Sequence, residues 1–214
     1  KFKKFFEDAK LLKSPDLQLE EDGTPINFEW NKCKLETVSF GHGITTTPIQ
    51  AATVYAALTN GGKLIKPSLV EKKNKNEIYN QLVSVGTSEN INNILRKVVT
   101  DEDGTASLAD VNGYNVAGKT GTSQNYFNKK ENLNTFISVF PSHKPKYVLL
   151  VMLENPQAAK DLIYNYRGLK IKSNRTEAGW NSVYVAGKII KKIGPILAIN
   201  NKDFNSQYVV EKIN

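Results

Sequence analysis

Lys119, Thr120 and Gly121 are where the types and spacing of residues in this 214-residue sequence first suggest chemistry. Gly113-Tyr114-Asn115-Val116-Ala117-Gly118-Lys119-Thr120 matches the phosphate-binding pattern G-x-x-x-x-G-K-[ST] letter for letter. A phosphate cradle also needs an apolar strand leading into the first glycine and a helix opening at the Lys-Thr, because the helix N-terminus holds the anion. Neither is legible. Ser107-Leu108-Ala109-Asp110-Val111-Asn112 is a poor buried strand, Gly121-Thr122-Ser123-Gln124-Asn125 is a poor helix start, and the residues between the glycines are strand formers. The other reading puts Lys119 on a short strand. There its ammonium binds a carboxylate or lowers the pKa of a neighbour, and Gly121 leaves room for a ligand backbone to approach.

Other chemistries find little support. Cys33 is the sole cysteine, so an internal disulfide and a cysteine metal cluster are excluded, and a single cysteine is compatible with an exported protein. His42 and His143 are the only histidines and form no HExxH-type pair, so no metal and no cofactor are expected. The formal charge of +8 rests on 29 lysines and arginines, but only Arg96, Arg167 and Arg175 are arginines. That is a weak footprint for a reader of phosphates and base edges, and no nucleic-acid partner is expected. With 40% hydrophobic and 23% charged residues the composition is that of a globular protein. No stretch approaches the roughly 20 apolar residues of a membrane span, and the Lys1 to Glu7 start lacks signal-peptide features. The chain begins at Lys1 and its only methionine is Met152, so it is expected to be a processed product or a fragment.

These residues need elements to position them. Phe2, Phe5, Phe6, Ala9 and Leu12 recur at helical spacing and predict an amphipathic helix over residues 2 to 12, followed by a turn-rich surface loop over 13 to 36 containing Asp22-Gly23-Thr24-Pro25. Thr47 as N-cap, Pro48 in the first turn and Gln50 closing a capping box predict a helix that stops at Asn60-Gly61, slim enough at Ala51, Ala52, Ala56 and Ala57 to be buried. Leu64 to Val70 reads as a strand. Ser88 is expected to cap a helix whose inner face is Ile91, Ile94, Leu95, Val98 and Val99, with Glu89 in its first turn and Arg96 and Lys97 in its last. Tyr114 to Thr122, Asn134 to Phe140 and Tyr147 to Glu154 predict three strands, the last two joined by a short turn in an antiparallel meander. The apolar run Val148 to Leu153 predicts a central strand covered on both faces. A final helix is expected over about Asn181 to Ile193, and a polar tail follows Asn200. The order indicates an α+β fold with an antiparallel sheet packed by helices. Gly41 and Gly43 read as turn glycines, His42 as a turn or packing residue, and Cys33 as a buried or partly buried thiol.

Combination gives these motifs their meaning. Ser39-Phe40-Gly41-His42-Gly43-Ile44 through Gly62, Val98-Val99 with Gly104-Thr105-Ala106, Val116 to Thr122, and Phe136 to Pro141 with Pro145-Lys146-Tyr147-Val148 follow one another in order. In order and spacing they resemble the transpeptidase domain of class B penicillin-binding proteins, and most of all its division-specific, FtsI-type branch (penicillin-binding protein 3). Ala178-Gly179-Trp180-Asn181 through Ile193 is similar to that branch's final helix. The resemblance covers residues 1 to 200, the C-terminal portion of the domain, and leaves 201 to 214 as a tail. It implies the penicillin-binding protein and serine β-lactamase-like fold, in which a K-T-G strand borders the active-site cleft.

What the resemblance implies for function is a peptidoglycan D,D-transpeptidase that crosslinks stem peptides in septal cell-wall synthesis. Lys119, Thr120 and Gly121 would belong to its catalytic constellation. With Thr122 they would also bind the D-Ala-D-Ala substrate or a β-lactam, and the Thr122 backbone N–H would serve the oxyanion hole. The substrate peptide would add a strand, so the K-T-G strand should lie at a sheet edge. No serine here is followed three residues later by lysine, so the S-x-x-K nucleophile is not in this chain and the chain alone is expected to be inactive. Ser88-Glu89-Asn90 and Ser123-Gln124-Asn125 spell S-x-N, but the family's own S-x-N precedes the Ser39 segment, so both are decoys. The implied setting is the periplasmic domain of an inner-membrane protein whose anchor is not in this chain, with divisome membrane proteins as partners. Alternatives are a D,D-carboxypeptidase or β-lactamase of the same superfamily, a non-catalytic scaffold of the same fold, and a P-loop NTPase.

Overall fold

The structure is a computed structural model that describes residues 1–17, 19–20, 23–26, 29–31, 33–70, 77–124 and 132–199. Asp22 of the expected turn, Asn125 of the second S-x-N triplet and the tail lie outside the described residues. Two compact units divide the chain, the first Lys1–Ile91 and the second from Asn92 onward.

In the first unit the opening helix α1 covers Phe2–Asp8 and is shorter than expected. Ala9 is buried behind it, and Lys10 at φ 58° turns the chain out of the helix. Phe2 and Phe6 instead gather on Trp30, at ring separations of 6.3 and 5.9 Å. The expected surface loop ends in a short helix, α2 (Lys34–Val38), which buries Val38. Cys33 occupies the N-cap position of that helix without a side-chain capping hydrogen bond and is exposed, contrary to the expected buried or partly buried thiol, because it lies just outside the turn that Val38 packs.

Helix α3 (Pro48–Thr59) has the predicted boundaries. Thr47 Oγ1 accepts the Gln50 N–H at 3.3 Å, and Gln50 Oε1 accepts the Thr47 N–H at 2.9 Å, which closes the capping box. Strand β1 covers only Lys63–Ile65, and pairs antiparallel with β2 (Ile78–Gln81), which the sequence reading missed. Pro67 shortens the expected strand, since proline cannot donate to a ladder.

Helix α4 spans Val85–Thr100 and starts before the expected cap. Ser84 is the residue whose hydroxyl accepts an end N–H, that of Thr87 at 3.2 Å. Ser88 lies inside the helix, buried, with its Oγ accepting the Gly61 N–H at 3.0 Å. Val85, Gly86 and Thr87 are weak helix formers, which hid the first turn from sequence reasoning. With the earlier start Glu89 falls outside the first turn, and of the two expected basic residues only Lys97 is in the last.

The second unit is built around a meander. Strand β3 (Ala117–Gln124) pairs antiparallel with β4 (Asn132–Phe140), which pairs antiparallel with β5 (Tyr147–Glu154), giving the order β3-β4-β5. The expected burial of β5 is overturned among the described residues. Central β4 carries the buried run Phe136 to Phe140, whereas β5 is an edge on which Met152 is 39% exposed. On α4, Leu95 and Val99 are buried as expected, but Ile94 is 62% exposed and off the face.

A second hairpin escaped the sequence reading. Strands β6 (Ile163–Tyr166) and β7 (Leu169–Lys172) are joined by Arg167 at φ 52° and Gly168 at φ 82°, a two-residue turn with positive φ at both positions. Helix α5 (Ser182–Ile199) closes the unit and runs beyond the expected end, through Pro195. Its Val183, Ala186 and Ile190 join Val99, Ala106, Ala109, Val116, Phe136, Phe140 and Val151 in one core. Gly187 permits close packing there, since a Cβ at that position would lie 2.5 Å from the Leu108 carbonyl oxygen. The α+β class and the antiparallel sheet stand as expected.

Candidate active site

Lys119, Thr120, Gly121 and Thr122 all lie on β3, an edge of its sheet among the described residues. Side chains alternate along a strand, so Lys119 and Gly121 occupy one face and Thr120 and Thr122 the other. Opposite them on β4 stand Ile137, Phe136, Thr135 and Asn134 in turn. The continuous strand also decides between the two sequence readings. No helix opens at Lys119-Thr120, and a 3-10 turn at Ser107–Ala109 takes the place of a leading strand, so the phosphate cradle has neither of its parts.

Lys119 is exposed, and its Nζ donates to the Thr120 carbonyl oxygen at 2.8 Å. The cation therefore lies beside the backbone of the edge strand. At Gly121 a Cβ would lie 2.5 Å from Thr135 Oγ1, which donates to the Gly121 carbonyl oxygen at 3.3 Å. Missing volume at this position thus serves packing between β3 and β4. At Gly118 the constraint is tighter, because a Cβ would meet the Ile137 carbonyl oxygen at 2.5 Å and the Phe136 ring at 2.8 Å.

Both threonine hydroxyls are engaged. Thr120 Oγ1 lies 2.9 Å from Thr105 Oγ1, and Thr122 Oγ1 accepts the Ala178 N–H at 3.4 Å. Thr105 belongs to the Gly104-Thr105-Ala106 turn, folded back on the end of α4 by the Ala106 N–H donating to the Val98 carbonyl at 3.0 Å. Ala178 belongs to the turn leading into α5. Asn134, fully buried beneath, donates through Nδ2 to the Thr176 carbonyl and ties β4 to the same segment.

Sequence reasoning assembled Gly104-Thr105-Ala106 and Ala178-Gly179-Trp180 as motifs without a role for either. The structure brings both to the threonine face of β3. Residue order was the only signal of them. Gly41 and Gly43, at φ 88° and 74°, are turn glycines as expected, and His42 is exposed and stacks on Phe40 at 6.3 Å. A separate cleft of about 210 Å³ in the first unit, lined by Lys10, Lys13, Gln50, Leu64 and Tyr79 among others, contains none of the candidate site residues.

Comparison with known proteins bears on what this strand belongs to. The family model described as "Penicillin binding protein transpeptidase domain" matches residues 1–176. A protein of Caulobacter vibrioides named probable peptidoglycan D,D-transpeptidase FtsI is 28% identical over 212 residues, covering 92% of this chain and 34% of that protein. The peptidoglycan D,D-transpeptidase FtsI homolog of Mesostigma viride is 32% identical over 175 residues, covering 69% of this chain and 29% of its own length. The chain thus spans about a third of the length of these relatives. Among solved structures, the transpeptidase domain of Burkholderia pseudomallei penicillin-binding protein 3 superposes with a TM-score of 0.74 at 20% identity, over 94% of this chain and 58% of that one. Fold, motif order and family match agree, and the chain belongs to the penicillin-binding protein transpeptidase domain family.

Proposed function

We propose that this chain is the K-T-G portion of a peptidoglycan D,D-transpeptidase of the FtsI type, with residues 1 to 200 forming the C-terminal part of the catalytic domain and 201 to 214 a tail. The observation that carries the reading is a strand, an edge among the described residues, bearing Lys119, Thr120, Gly121 and Thr122, in a chain that matches the transpeptidase family over residues 1–176. An edge strand has unpaired backbone groups, and an extended stem peptide can hydrogen-bond to them as an added strand.

In this reaction the serine oxygen of an S-x-x-K motif attacks the carbonyl carbon of the penultimate D-alanine. The C–N bond to the terminal D-alanine breaks, and D-alanine leaves with a proton on its amine. The amine of a neighbouring stem peptide then attacks the ester, forms the crosslink and restores the serine hydroxyl. Lys119 and Thr120 bind the terminal carboxylate, a charge-assisted contact. Thr122 presents its backbone N–H to the developing oxyanion. A β-lactam enters by the same acylation. The serine is supplied by another part of the parent polypeptide, since no S-x-x-K occurs in this sequence. The parent is placed in the periplasm on an inner-membrane anchor, among divisome membrane proteins. No helix among the described residues is long and apolar enough to cross a membrane.

The test is labelling of the full parent polypeptide by fluorescent penicillin. Lys119→Ala is expected to slow labelling by about ten- to a hundredfold, the worth of a hydrogen bond to a charged group. The 214-residue chain alone is expected to form no adduct by mass spectrometry. Undiminished labelling of the variant removes Lys119 from the site. The absent nucleophile is also what a non-catalytic scaffold of this fold would display. A parent gene without S-x-x-K followed by S-x-N ahead of Lys1 would establish that reading instead. Release of the acyl group to water, with no crosslinked product, would mark a D,D-carboxypeptidase or β-lactamase.

A further inference from the structure

We propose that Thr105 is a positioning residue for carboxylate recognition, donating its hydroxyl proton to Thr120 Oγ1 so that the Thr120 O–H is free to point at an anionic ligand. The inference rests on the acyl-transfer reading above and deepens it. A threonine hydroxyl has one proton and two lone pairs. At 2.9 Å between the two Oγ1 atoms, either could be the donor. If Thr120 donated to Thr105, its proton would be consumed and a carboxylate at β3 would meet a lone pair. Donation from Thr105 leaves the Thr120 proton available and polarises that O–H further.

The Thr105 backbone is held on two sides. Its turn is folded onto the end of α4 through Gly104, whose N–H donates to the Asp101 carbonyl at 2.9 Å, and through the Ala106 N–H on the Val98 carbonyl at 3.0 Å. From the other side Gly179 presses on it, since a Cβ there would lie 2.7 Å from the Thr105 carbonyl oxygen. The Ala178 N–H next to that contact holds Thr122. A turn before β3 and a turn before α5 thus meet at Thr105, and each reaches one of the two threonine hydroxyls. Thr105 is exposed, so the contact contributes nothing to the core, and its substitution is expected to leave the fold intact.

The experiment measures acylation kinetics of the full parent polypeptide with benzylpenicillin and with its methyl ester, which lacks the anionic group. Thr105→Val, a near-isosteric change that deletes the donor, is expected to lower the second-order acylation constant for the free acid about tenfold. The loss should appear in the apparent dissociation constant rather than in the acylation rate constant. Thr105→Ser is expected to restore the wild-type value. With the ester, wild type and Thr105→Val are expected to react equally slowly. Wild-type kinetics of Thr105→Val on the free acid overturn the proposal, as does an equal loss on acid and ester, which would mark a scaffold role alone. A wild-type parent that forms no penicillin adduct overturns the acyl-transfer reading first, and this inference with it.

Discussion

Alternation along β3 separates Lys119 and Gly121 from Thr120 and Thr122, and the two pairs are restrained differently. Among the described residues Lys119 is held through the Thr120 carbonyl, whereas the threonines are gripped by turns from elsewhere in the second unit. A strand motif supplies these side chains, but the orientation of its threonine hydroxyls depends on groups distant in sequence. Tyr166 is another residue whose chemistry is set by its surroundings. It stacks on Trp180 at 5.2 Å, and the Arg167 guanidinium beside it holds its phenol below the usual value of 10.0. Burial pushes Tyr55, Tyr114 and Tyr164 the other way. A lowered folded-state pKa favours the phenolate in the native state. The resulting stabilisation is absent below the folded pKa, grows as pH rises through it, and is complete above the unfolded value. In an alkaline titration followed by phenolate absorbance, one tyrosine is expected to ionise ahead of the rest, and Tyr166→Phe should remove that component. Superposable curves for the two proteins would refute the assignment.

At the level of elements, α3 shows what local chemistry can specify. Thr47, Pro48 and Gln50 mark its start so strongly that the boundaries are legible without any tertiary information. Yet Gln50 has a second task that spacing does not reveal. Its buried amide donates to the Lys10 and Lys13 carbonyls at 2.9 and 2.5 Å, satisfying the backbone where the chain leaves α1. Thr47→Ala is expected to cost about 1 kcal/mol, the worth of an N-cap. Gln50→Ala should cost about 2–4 kcal/mol, because it strands two carbonyls as well as opening the capping box. Urea denaturation of the two variants distinguishes these roles, and equal losses would show that the contacts to the carbonyls carry no weight. Elsewhere local signals pointed to the wrong residue. Ser88 resembled a cap but is an internal side chain serving Gly61, and Ser84 caps instead, because a weakly helical Val85-Gly86-Thr87 turn is carried by the rest of the helix. The β6–β7 hairpin was missed because its turn uses Arg167, a residue seldom found at positive φ.

For the whole chain, the sheet raises a question of solubility. Among the described residues β5 is an edge, and it carries Val148, Leu149, Leu150, Val151, Met152 and Leu153 in succession. A long apolar edge is a template for pairing with another chain. The isolated chain is therefore expected to self-associate at micromolar concentration despite a net charge of +8, and Met152→Lys should shift it toward monomer in light scattering. Monomeric behaviour of the unmodified chain would show that this edge is protected. By itself the sequence determined which groups are available: the Lys119-Thr120-Gly121-Thr122 strand, the meander that carries it, the boundaries of α3 and the α+β class. These follow from local periodicity, capping and motif order, which neighbouring residues encode among themselves. Only the tertiary structure decided that β4 rather than β5 is central, and that Thr105 and Ala178 hold the two threonine hydroxyls. Those facts depend on contacts between residues 15 and 56 positions apart, and no local signal carries such contacts because they exist only once the intervening chain has folded around a shared core.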